Sequence, residues 1–553
     1  MPQSLRFFLF ESVVMLGVTA PAVAQSPSTL PRLPSAPLEP QTPLQKPLQP
    51  TPPVPIPQPR PESLPPETTR DTIQVNQFIY EGNQQLSRSE LDRITAPYRG
   101  RSITFAELAA AREAVKQAYL NRGFTAAVVR LLPNRNQNVQ TGIVTLSILE
   151  GSIERIEITG DSRLERYVRS RLNTSTFNEA ELLNQLRLLQ VDPLIQSINV
   201  DVQSSATPGR VVLIVQIVPT PTNTLAVDAD NFRPETVGNF QRRVSFAKAN
   251  LLGLGDTLEL GYGNTTGSND WLVRYSLPIT PQDTRLEVSF RTVGSRIITE
   301  PFRDLDIRAK TNVYELAVRH PIVRRASAQR IDLLSVGIGA EYLDSRTILL
   351  GEGFPLSAGA DSDGRTRIGV INLFQNYQQI NLDSALALNS TFSFGIAGTR
   401  NPEGTSGPDS RFVRWQGDAT WFKRLRLGDL VVRSLIQWSD RPLVSTEQFS
   451  LGGSIVRGYR PDALLGDRGA FASAELRIPL ESRRRLSVVP FLDVGAIQTV
   501  NQRGFDTLGS AGIGLQWSDA NFLARLDYAF PFRQDGTLRG NDLNFSVGYR
   551  TSF

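Results

Sequence analysis

Large apolar and polar side chains alternate with a period of two along the C-terminal part of this chain. In residues 543–550, sequence LNFSVGYR, the odd positions hold large apolar side chains and the even positions hold polar or small ones. The same alternation recurs over residues 522–530. A β-strand with one face in lipid and the other in water has this period. A soluble sandwich also alternates, so the number and spacing of such strands decide between the two folds.

Sixteen segments of this kind follow one another from about Thr224 to the last residue. They lie near 224–232, 240–250, 256–265, 270–278, 283–293, 309–319, 331–344, 365–377, 384–397, 411–424, 428–439, 468–480, 485–498, 508–518, 520–531 and 542–553. Connections after odd strands tend to be long, as at 440–467, whereas several after even strands are tight, which is the asymmetry of outer loops and periplasmic turns. The pattern predicts an all-β, 16-stranded antiparallel transmembrane barrel over residues 223–553.

The first residues predict export. Arg6 precedes an apolar run from Phe7 to Val18, which Glu11 interrupts, and Ala22-Val23-Ala24 has the small-x-small form of a cleavage site. We therefore expect a signal peptide over residues 1–24.

A proline-rich segment follows over residues 25–70, and its composition favours an extended linker instead of a packed domain. Beyond Gln25 the chain has no apolar stretch of about 18 residues, so no transmembrane helix is expected. Only helices and closed barrels satisfy every backbone group in lipid, so if the chain enters a membrane it must do so as a barrel.

Residues 71–150 and 151–222 are interpreted as two copies of one small α+β module, repeated after roughly 75 residues. Each copy has a glycine after an extended apolar segment (Gly82, Gly160), a capping box at a helix start (Thr104 with Glu107, Thr176 with Glu179) and a closing apolar strand (Ile143–Leu149, Val211–Val218). In a capping box the Thr hydroxyl accepts a hydrogen bond from an unpaired helical amide while Glu reaches back. The first helix is expected to stop at Gly123.

Composition excludes several classes of function. With 0 Cys and 1 His, the chain has no thiol nucleophile and too little imidazole for a Cys- or His-based metal site. No pair of residues has a catalytic rationale, so we expect no enzyme activity, no cofactor and no metal, and we interpret His320 as an ordinary turn residue. The net charge of +5 is spread along the chain, which does not favour nucleic-acid binding.

Strand phase assigns directions to individual residues near the C-terminus. In 485–498 the apolar face turns Phe491, Asp493 and Gly495 to the lumen, and in 468–480 it turns Glu475 inward. The long loop 440–467 precedes both strands and carries Arg457. An arginine buried in a barrel needs carboxylate partners, so we expect Arg457 to pair with Asp493 or Glu475. This pair has two interpretations: a part of transport, or an ion pair that only braces the barrel.

Two short motifs carry a resemblance to a known family. Val456-Arg457-Gly458-Tyr459 and the segment 491–495, sequence FLDVG, resemble the two signature motifs of the Omp85 superfamily. With two POTRA-like modules, a proline-rich segment and sixteen strands, residues 72–553 resemble its two-partner secretion branch, the TpsB transporters of the ShlB/FhaC/HecB hemolysin secretion/activation type. The resemblance implies that Arg457 at the loop tip meets Asp493 on the barrel wall, with Glu475 as a second partner.

The resemblance also implies a function. We expect translocation of a large TpsA-type, hemolysin- or adhesin-like client across the outer membrane, with the POTRA modules receiving the unfolded client in the periplasm and without nucleotide hydrolysis. The client strand would pair along an edge formed by Val211–Val218. The proline-rich start disfavours an N-terminal helix that plugs the pore.

Further partners and two rival functions remain. We expect contact with outer-membrane lipid and, during biogenesis, with the barrel-assembly machinery, which would read the terminal Phe553. The first rival is an Omp85-type factor that assembles and inserts outer-membrane proteins, commonly with more than two POTRA modules. The second is a passive porin, which has no use for a chain-binding periplasmic arm.

Overall fold

The computed structural model describes residues 72–132, 142–172, 175–400, 407–481, 484–533 and 535–553. These residues form two compact units, one of residues 72–220 with 325–328, and one of residues 221–324 with 329–553. The predicted signal peptide (1–24), the linker (25–70) and any N-terminal plug lie outside the described residues. Among the residues described, no helix is both long and apolar enough to cross a membrane.

The first α+β module packs two helices against a small sheet. Its elements are β1 (Thr72–Val75), β2 (Gln77–Glu81), α1 (Arg88–Thr95), β3 (Arg101–Thr104), α2 (Phe105–Leu120), β4 (Val128–Leu131) and β5 (Ile143–Leu149). The main sheet has the order β2-β5-β4, with β2 parallel to β5, while β1 pairs with β3. The capping box at the start of α2 is confirmed, because the Thr104 hydroxyl accepts from the Glu107 amide and Glu107 accepts from the Thr104 amide.

The second module repeats this topology. Its elements are β6 (Ser152–Thr159), α3 (Ser162–Arg169), α4 (Glu179–Gln190), β7 (Ile195–Ser204) and β8 (Arg210–Pro219), and its sheet has the order β6-β8-β7 with β6 parallel to β8. Gly82 and Gly160 are equivalent in the two modules. A Cβ atom would lie 2.3 Å from the carbonyl oxygen of Ile148 at the first and 2.2 Å from that of Ile217 at the second. Each glycine lets its own strand approach the closing strand, so the duplication extends to the backbone.

Two sequence predictions for the second module are wrong. Helix α4 begins at Glu179 with Asn178, not Thr176, as its N-cap, and the Asn178 Oδ1 atom accepts from the amide of Glu181. Asn178 also donates from Nδ2 to the carbonyl of Arg122, 2.9 Å away in the first module. This second bond explains the choice of cap, because it couples the helix start to the neighbouring module.

The strand Val211–Val218 is also not an edge. It belongs to β8, which lies between β6 and β7 and therefore has its backbone groups paired on both sides. Its near-continuous run of Val and Ile is typical of a central strand buried between neighbours. The edges of this sheet are β6 and β7.

The second unit is a closed antiparallel barrel of sixteen long strands. In chain order its strands are β9 (Asn223–Asp230), β10 (Gln241–Ala249), β11 (Thr257–Asn264), β12 (Ser268–Pro278), β13 (Arg285–Arg296), β14 (Arg308–Ala326), β15 (Arg330–Leu349), the short β16 (Glu352–Gly353), β17 (Arg365–Asn381), β18 (Ser384–Gly398), β19 (Phe412–Arg424), β20 (Asp429–Ser439), the short loop strands β21 (Phe449–Leu451) and β22 (Leu464–Gly466), β23 (Arg468–Pro479), β24 (Leu486–Gln498), β25 (Asp506–Ser518), β26 (Phe522–Pro531) and β27 (Leu543–Ser552). The predicted number of strands is confirmed.

The barrel closes by pairing of its last strand, β27, with its first, β9. The terminal residue takes part, because the Phe553 amide donates to the Asn223 carbonyl at 3.0 Å and its carbonyl accepts from the Asn223 amide at 3.1 Å. The Phe553 side chain is exposed. The predicted alternation is confirmed on β24, where Leu492 and Val494 are exposed while Asp493 is buried.

The cap of helix α4 gives a first prediction. Replacing Asn178 by Ala should destabilise residues 72–220 by about 1–2 kcal/mol, because both the cap bond and the bond to the first module are lost. Thr176 is not the N-cap, so replacing it by Ala should change the free energy of unfolding by less than about 0.5 kcal/mol. The measurement is pulse proteolysis in urea of the unit formed by residues 72–220, on the purified full-length protein. Equal effects of the two variants would contradict the assignment of the cap.

Candidate functional site

The loop between β20 and β23, residues 440–467, packs its apolar side chains against the inner wall of the barrel. Strands β21 and β22 form a short hairpin within it. The buried cluster contains Phe449, Leu451, Ile455, Val456 and Tyr459 of the loop together with Leu435, Phe471, Ile497 and Leu508 of the wall strands. Burial of apolar area stabilises this contact by about 25 cal/mol per Å². The loop is therefore seated on the wall by a hydrophobic contact as well as by charge.

Two glycines of the wall make room for the hairpin. A Cβ atom on Gly469 would lie 2.2 Å from the ring of Phe449, and one on Gly495 would lie 2.7 Å from a methyl group of Leu451. Gly469 lies on β23 and Gly495 on β24, and the hairpin lies across both. Gly495, the last residue of the predicted wall motif, is therefore a seat for the loop.

The base of the loop has its own polar anchors. Glu447 is buried and forms an ion pair with Arg414 of β19. Asp467 accepts from the amide of Leu443 at 2.8 Å and from the amide of Val500 at 2.7 Å. Gln437 donates to the carbonyls of both Glu447 and Asp467. These bonds fix both ends of the loop where it leaves and rejoins the wall.

Arg457 at the loop tip is buried and grips the wall through its planar guanidinium. Its Nε and Nη2 atoms lie 2.7 Å and 2.8 Å from the two carboxylate oxygens of Asp493. Its Nη1 atom lies 2.9 Å from Glu475 and 3.3 Å from Asp527. The predicted pairing of Arg457 with Asp493 and Glu475 is confirmed. The guanidinium fork explains why arginine suits this position, because lysine cannot bind a carboxylate through two nitrogens.

Two further arginines complete a buried charge network. Arg525 binds both carboxylate oxygens of Glu475, at 2.9 and 3.0 Å, and contacts Asp527 through Nε at 2.9 Å. Arg433 reaches Glu475 at 3.2 Å. Three arginines therefore face three carboxylates, and Glu475 contacts all of the arginines. Such balance matters because an unpaired charge in a buried site costs several kcal/mol.

The wall motif also shapes the surroundings of the guanidinium. The Cζ atom of Arg457 lies 3.5 Å from the centroid of the Phe491 ring, in the geometry of a cation–π contact. Gly512 stands opposite Phe491 and Gly514 opposite Asp527 on the neighbouring β25. A Cβ atom would lie 2.3 Å from the Phe491 ring at the first glycine and 2.1 Å from an Asp527 oxygen at the second. The two glycines give these side chains the space to reach Arg457.

The last two residues of the loop motif set the backbone. Gly458 has φ 87°, a conformation that favours glycine, and a Cβ atom there would lie 3.2 Å from side-chain atoms of both Ala529 and Pro531 on β26. The Tyr459 hydroxyl donates to the carbonyl of Gly509 at 2.9 Å and accepts from the amide of Arg533. The turn at Gly458 therefore points Arg457 into the network while Tyr459 holds the turn.

The structure brings together Val456, Arg457, Gly458, Tyr459, Glu475, Phe491, Asp493 and Gly495, which are all the predicted motif residues. Sequence reasoning missed Arg525, Asp527, Arg433 and Ser473, whose hydroxyl donates to Asp493 at 2.7 Å. Strand phase holds a signal for some of them, because Arg525 and Asp527 occupy the polar face of their strand. Phase alone does not say which strands lie opposite the loop tip. Phe553, predicted as a targeting residue, is not part of this site.

Comparisons with known proteins agree on one family. The family model of the haemolysin secretion/activation protein ShlB/FhaC/HecB matches residues 209–517, and the model of the ShlB-type POTRA domain matches residues 73–151. Among characterised relatives, the outer membrane transporter CdiB of Dickeya dadantii is 23% identical over 410 residues, which cover 71% of this chain and 70% of that protein.

Two more relatives are similar over a larger part of the chain. The heme/hemopexin transporter protein HuxB of Haemophilus influenzae is 23% identical over 486 residues, 81% of either chain. Among solved structures, CdiB from Escherichia coli superposes with a TM-score of 0.67 at 20% identity, covering 92% of this chain and 95% of that one. At this identity the superposition shows a shared fold.

The central place of Glu475 gives a second prediction. Replacing Glu475 by Gln should destabilise the seated loop by about 3–5 kcal/mol, because three arginines then share two carboxylates in a buried site. The matched control is Glu287→Gln, which removes a half-exposed pair with Arg319 on the wall and should cost at most about 1 kcal/mol. The measurement is the temperature at which the folded barrel loses its compact gel mobility. A Glu475 variant as stable as the control would show that the network contributes little.

Proposed function

The chain belongs to the haemolysin secretion/activation protein family ShlB/FhaC/HecB, and from this premise we propose that it exports a large TpsA-type client, of the hemolysin or adhesin kind, across the outer membrane. It is an outer-membrane transporter and not an enzyme, and its POTRA domains lie in the periplasm. The proposal adds the type of client, its unfolded state and the place of its capture.

The observation that carries the proposal is a pair of open-edged sheets on the same chain as the barrel. An unfolded client can add a strand to a sheet edge through main-chain hydrogen bonds, which tolerate varied side chains. The barrel wall itself is closed by β27 and β9 and has no edge strand of that kind. A porin for small solutes would have no use for such sheets.

In the second module we propose β7 as the edge that captures the client. The other edge, β6, is eight residues long and carries the charged residues Glu154, Arg155 and Glu157, features that protect edges from pairing. Strand β7 is ten residues long and has one charged residue, Asp201, among exposed amide and hydroxyl side chains. Its edge is therefore the less protected of the two.

The charge network would then control the pore. We propose that Arg457 holds the loop in the lumen in the resting state and that its carboxylate partners guide the loop during export. Folding of the client outside the cell can give direction to movement without nucleotide hydrolysis, since a folded client cannot easily return.

Client capture at β7 is tested by charges placed on that edge. In the full-length protein, Asn199→Lys with Gln203→Lys should weaken binding of the client's secretion domain by about tenfold or more, because charged side chains on an edge oppose strand addition. The matched control places lysines on the opposite edge, as Glu154→Lys with Glu157→Lys, and should bind normally. A fragment of residues 67–222 should bind the same domain. Binding by the full-length protein alone would move recognition to the barrel or its loops.

Transport and bracing make different predictions for Arg457. We expect Arg457→Ala and Arg457→Lys to lower secreted client per folded barrel by about tenfold or more, because each loses pairs worth several kcal/mol in seating the loop. The control is Arg441→Ala, an exposed arginine near the loop base whose ion pair is with Asp440. If the two Arg457 variants lower barrel stability but leave secretion per folded barrel unchanged, the residue only braces the barrel.

Phe553 is proposed as part of the signal that the barrel-assembly machinery reads. Its exposed side chain directly follows the last strand, in phase with the outward-facing Val547 and Tyr549. Deleting Phe553 should lower the amount of folded barrel in the membrane several-fold, whereas Phe553→Tyr, which keeps an aromatic end, should retain it. Equal amounts of folded barrel in the deletion and in the unaltered protein would remove this role.

The rival function is assembly of other outer-membrane proteins. Two POTRA-like sheets occur in the described residues, and assembly factors commonly carry more. Deleting the gene separates the two functions, because an exporter should affect one secreted client while an assembly factor should deplete many barrels from the membrane.

A further inference from the structure

The outward face of four neighbouring strands changes in chemistry from the membrane centre to the outer rim. Strand pairing aligns Phe290 with Tyr314 on β13 and β14, and Arg346 with Arg365 on β15 and β17. The hydroxyls of Thr311 and Ser345 lie 2.9 Å apart on the inner face, which places their neighbours Lys310 and Arg346 side by side on the outer face. These pairings align the outward-facing residues of the four strands. Residues at the same level in the membrane therefore form rows that run across the strands.

One of these rows is aromatic. The ring centroids of Phe290 and Tyr314 are 5.0 Å apart and those of Tyr314 and Tyr342 are 6.4 Å apart. Tyr314 and Tyr342 are exposed, and the residues towards the membrane centre, such as Leu316 and Ile338, are exposed and aliphatic. Aromatic girdles mark the interface between hydrocarbon and headgroups in outer-membrane barrels. The rows beyond the girdle therefore lie at the level of the lipid headgroups.

Those rows are basic. We define the outer basic belt as Arg296, Arg308, Lys310, Arg346, Arg365 and Arg367. Strand pairing places Arg296 opposite Arg308 and Arg346 opposite Arg365. Like charges in such positions repel each other. The rows therefore concentrate positive charge on one outward patch.

Few carboxylates neutralise the belt. Asp306 is shared by Arg296 and Arg308, at 2.8 and 2.7 Å. Asp344 is shared by Arg365 and Arg367, at 4.0 and 3.9 Å. Within the described part of the chain, no ion pair involves Lys310 or Arg346. The belt therefore has a surplus of positive charge that an external anion would balance.

The belt lies in the outer leaflet. The chain enters the barrel from the periplasmic POTRA domains at the start of β9. The first, third, fifth and seventh of the sixteen long strands therefore run towards the cell surface and end there. Strand β13 is the fifth barrel strand and ends with Arg296, and β14 begins with Arg308.

The surface beside Lys310 is open. Lys310 pairs with Gly294 of β13, and a Cβ atom built on Gly294 would have no heavy atom within 4 Å.

We propose that the outer basic belt binds the phosphorylated headgroup of an outer-leaflet glycolipid of the lipid A kind. Guanidinium groups bind phosphate oxygens through two parallel hydrogen bonds, and Lys310 adds a point charge. The position beyond the girdle on the lipid-facing surface selects a lipid-borne phosphate over one free in solution. The site depends on the membrane location of the barrel and not on the proposed client, so either proposal can fail alone.

The test uses the full-length protein in detergent and bisphosphorylated lipid A as the probe, with binding followed by native mass spectrometry. One cation near an anionic lipid surface changes affinity by roughly fivefold, so Lys310→Gln with Arg346→Gln and Arg365→Gln should weaken binding by at least about tenfold after screening. The matched control replaces three surface arginines that pair with nearby carboxylates, as Arg411→Gln with Arg441→Gln and Arg539→Gln, and should bind normally.

Comparison lipids decide which chemistry is recognised. Dephosphorylated lipid A should bind the unaltered protein at least about tenfold more weakly, because the belt contributes through phosphate. Equal binding of the two lipid A forms, equal binding of an anionic phospholipid, or equal losses in the belt and control variants would overturn the proposal. The compact gel mobility of each variant confirms that its barrel is folded, since these exposed side chains do not hold the strand ladder together.

Discussion

The planar guanidinium of Arg457 is the interaction on which the arrangement of the lumen depends. A loop that carries a positive charge into a barrel is stable there only if carboxylates of the wall lie within ion-pairing distance of that charge. Asp493 supplies two oxygens, and Glu475 and Asp527 supply one each. These carboxylates would repel one another, so Arg525 and Arg433 are needed in turn. One charged residue at the loop tip thus sets the chemistry of several strands.

The same constraint explains the glycines of the wall. Side chains that reach Arg457 need space, which Gly512 and Gly514 leave beside Phe491 and Asp527. The hairpin that carries the tip needs seats, which Gly469 and Gly495 provide. Anchors at the loop base, including the ion pair of Glu447 with Arg414, restrict the position of the loop tip and so hold Arg457 near its carboxylate partners. Release of the loop would therefore have to break polar bonds and apolar contacts together.

The proposed role of the loop in controlling the pore is compatible with the transporter family to which the chain belongs. The proposed displacement of the loop would not require a change in the strand ladder, because β27 pairs with β9 and closes the ladder without the loop. The two proposed binding surfaces, on the periplasmic sheets and on the outer basic belt, differ in chemistry, because the first suits an extended chain and the second a charged lipid. Each surface arises from unpaired groups, either main-chain amides and carbonyls or cations in excess.

The sequence by itself determined the architecture, because the period of two and the capping box of Thr104 with Glu107 are local patterns that depend on neighbouring residues. It also indicated Arg457, Asp493 and Glu475, since strand phase gives the face on which a side chain lies. Only the tertiary structure decided that Asn178 caps α4, that β8 is a central strand and that Arg525 joins the network. The physical reason is that these roles depend on partners distant in the chain, such as Arg122 for Asn178, whose position no local pattern contains.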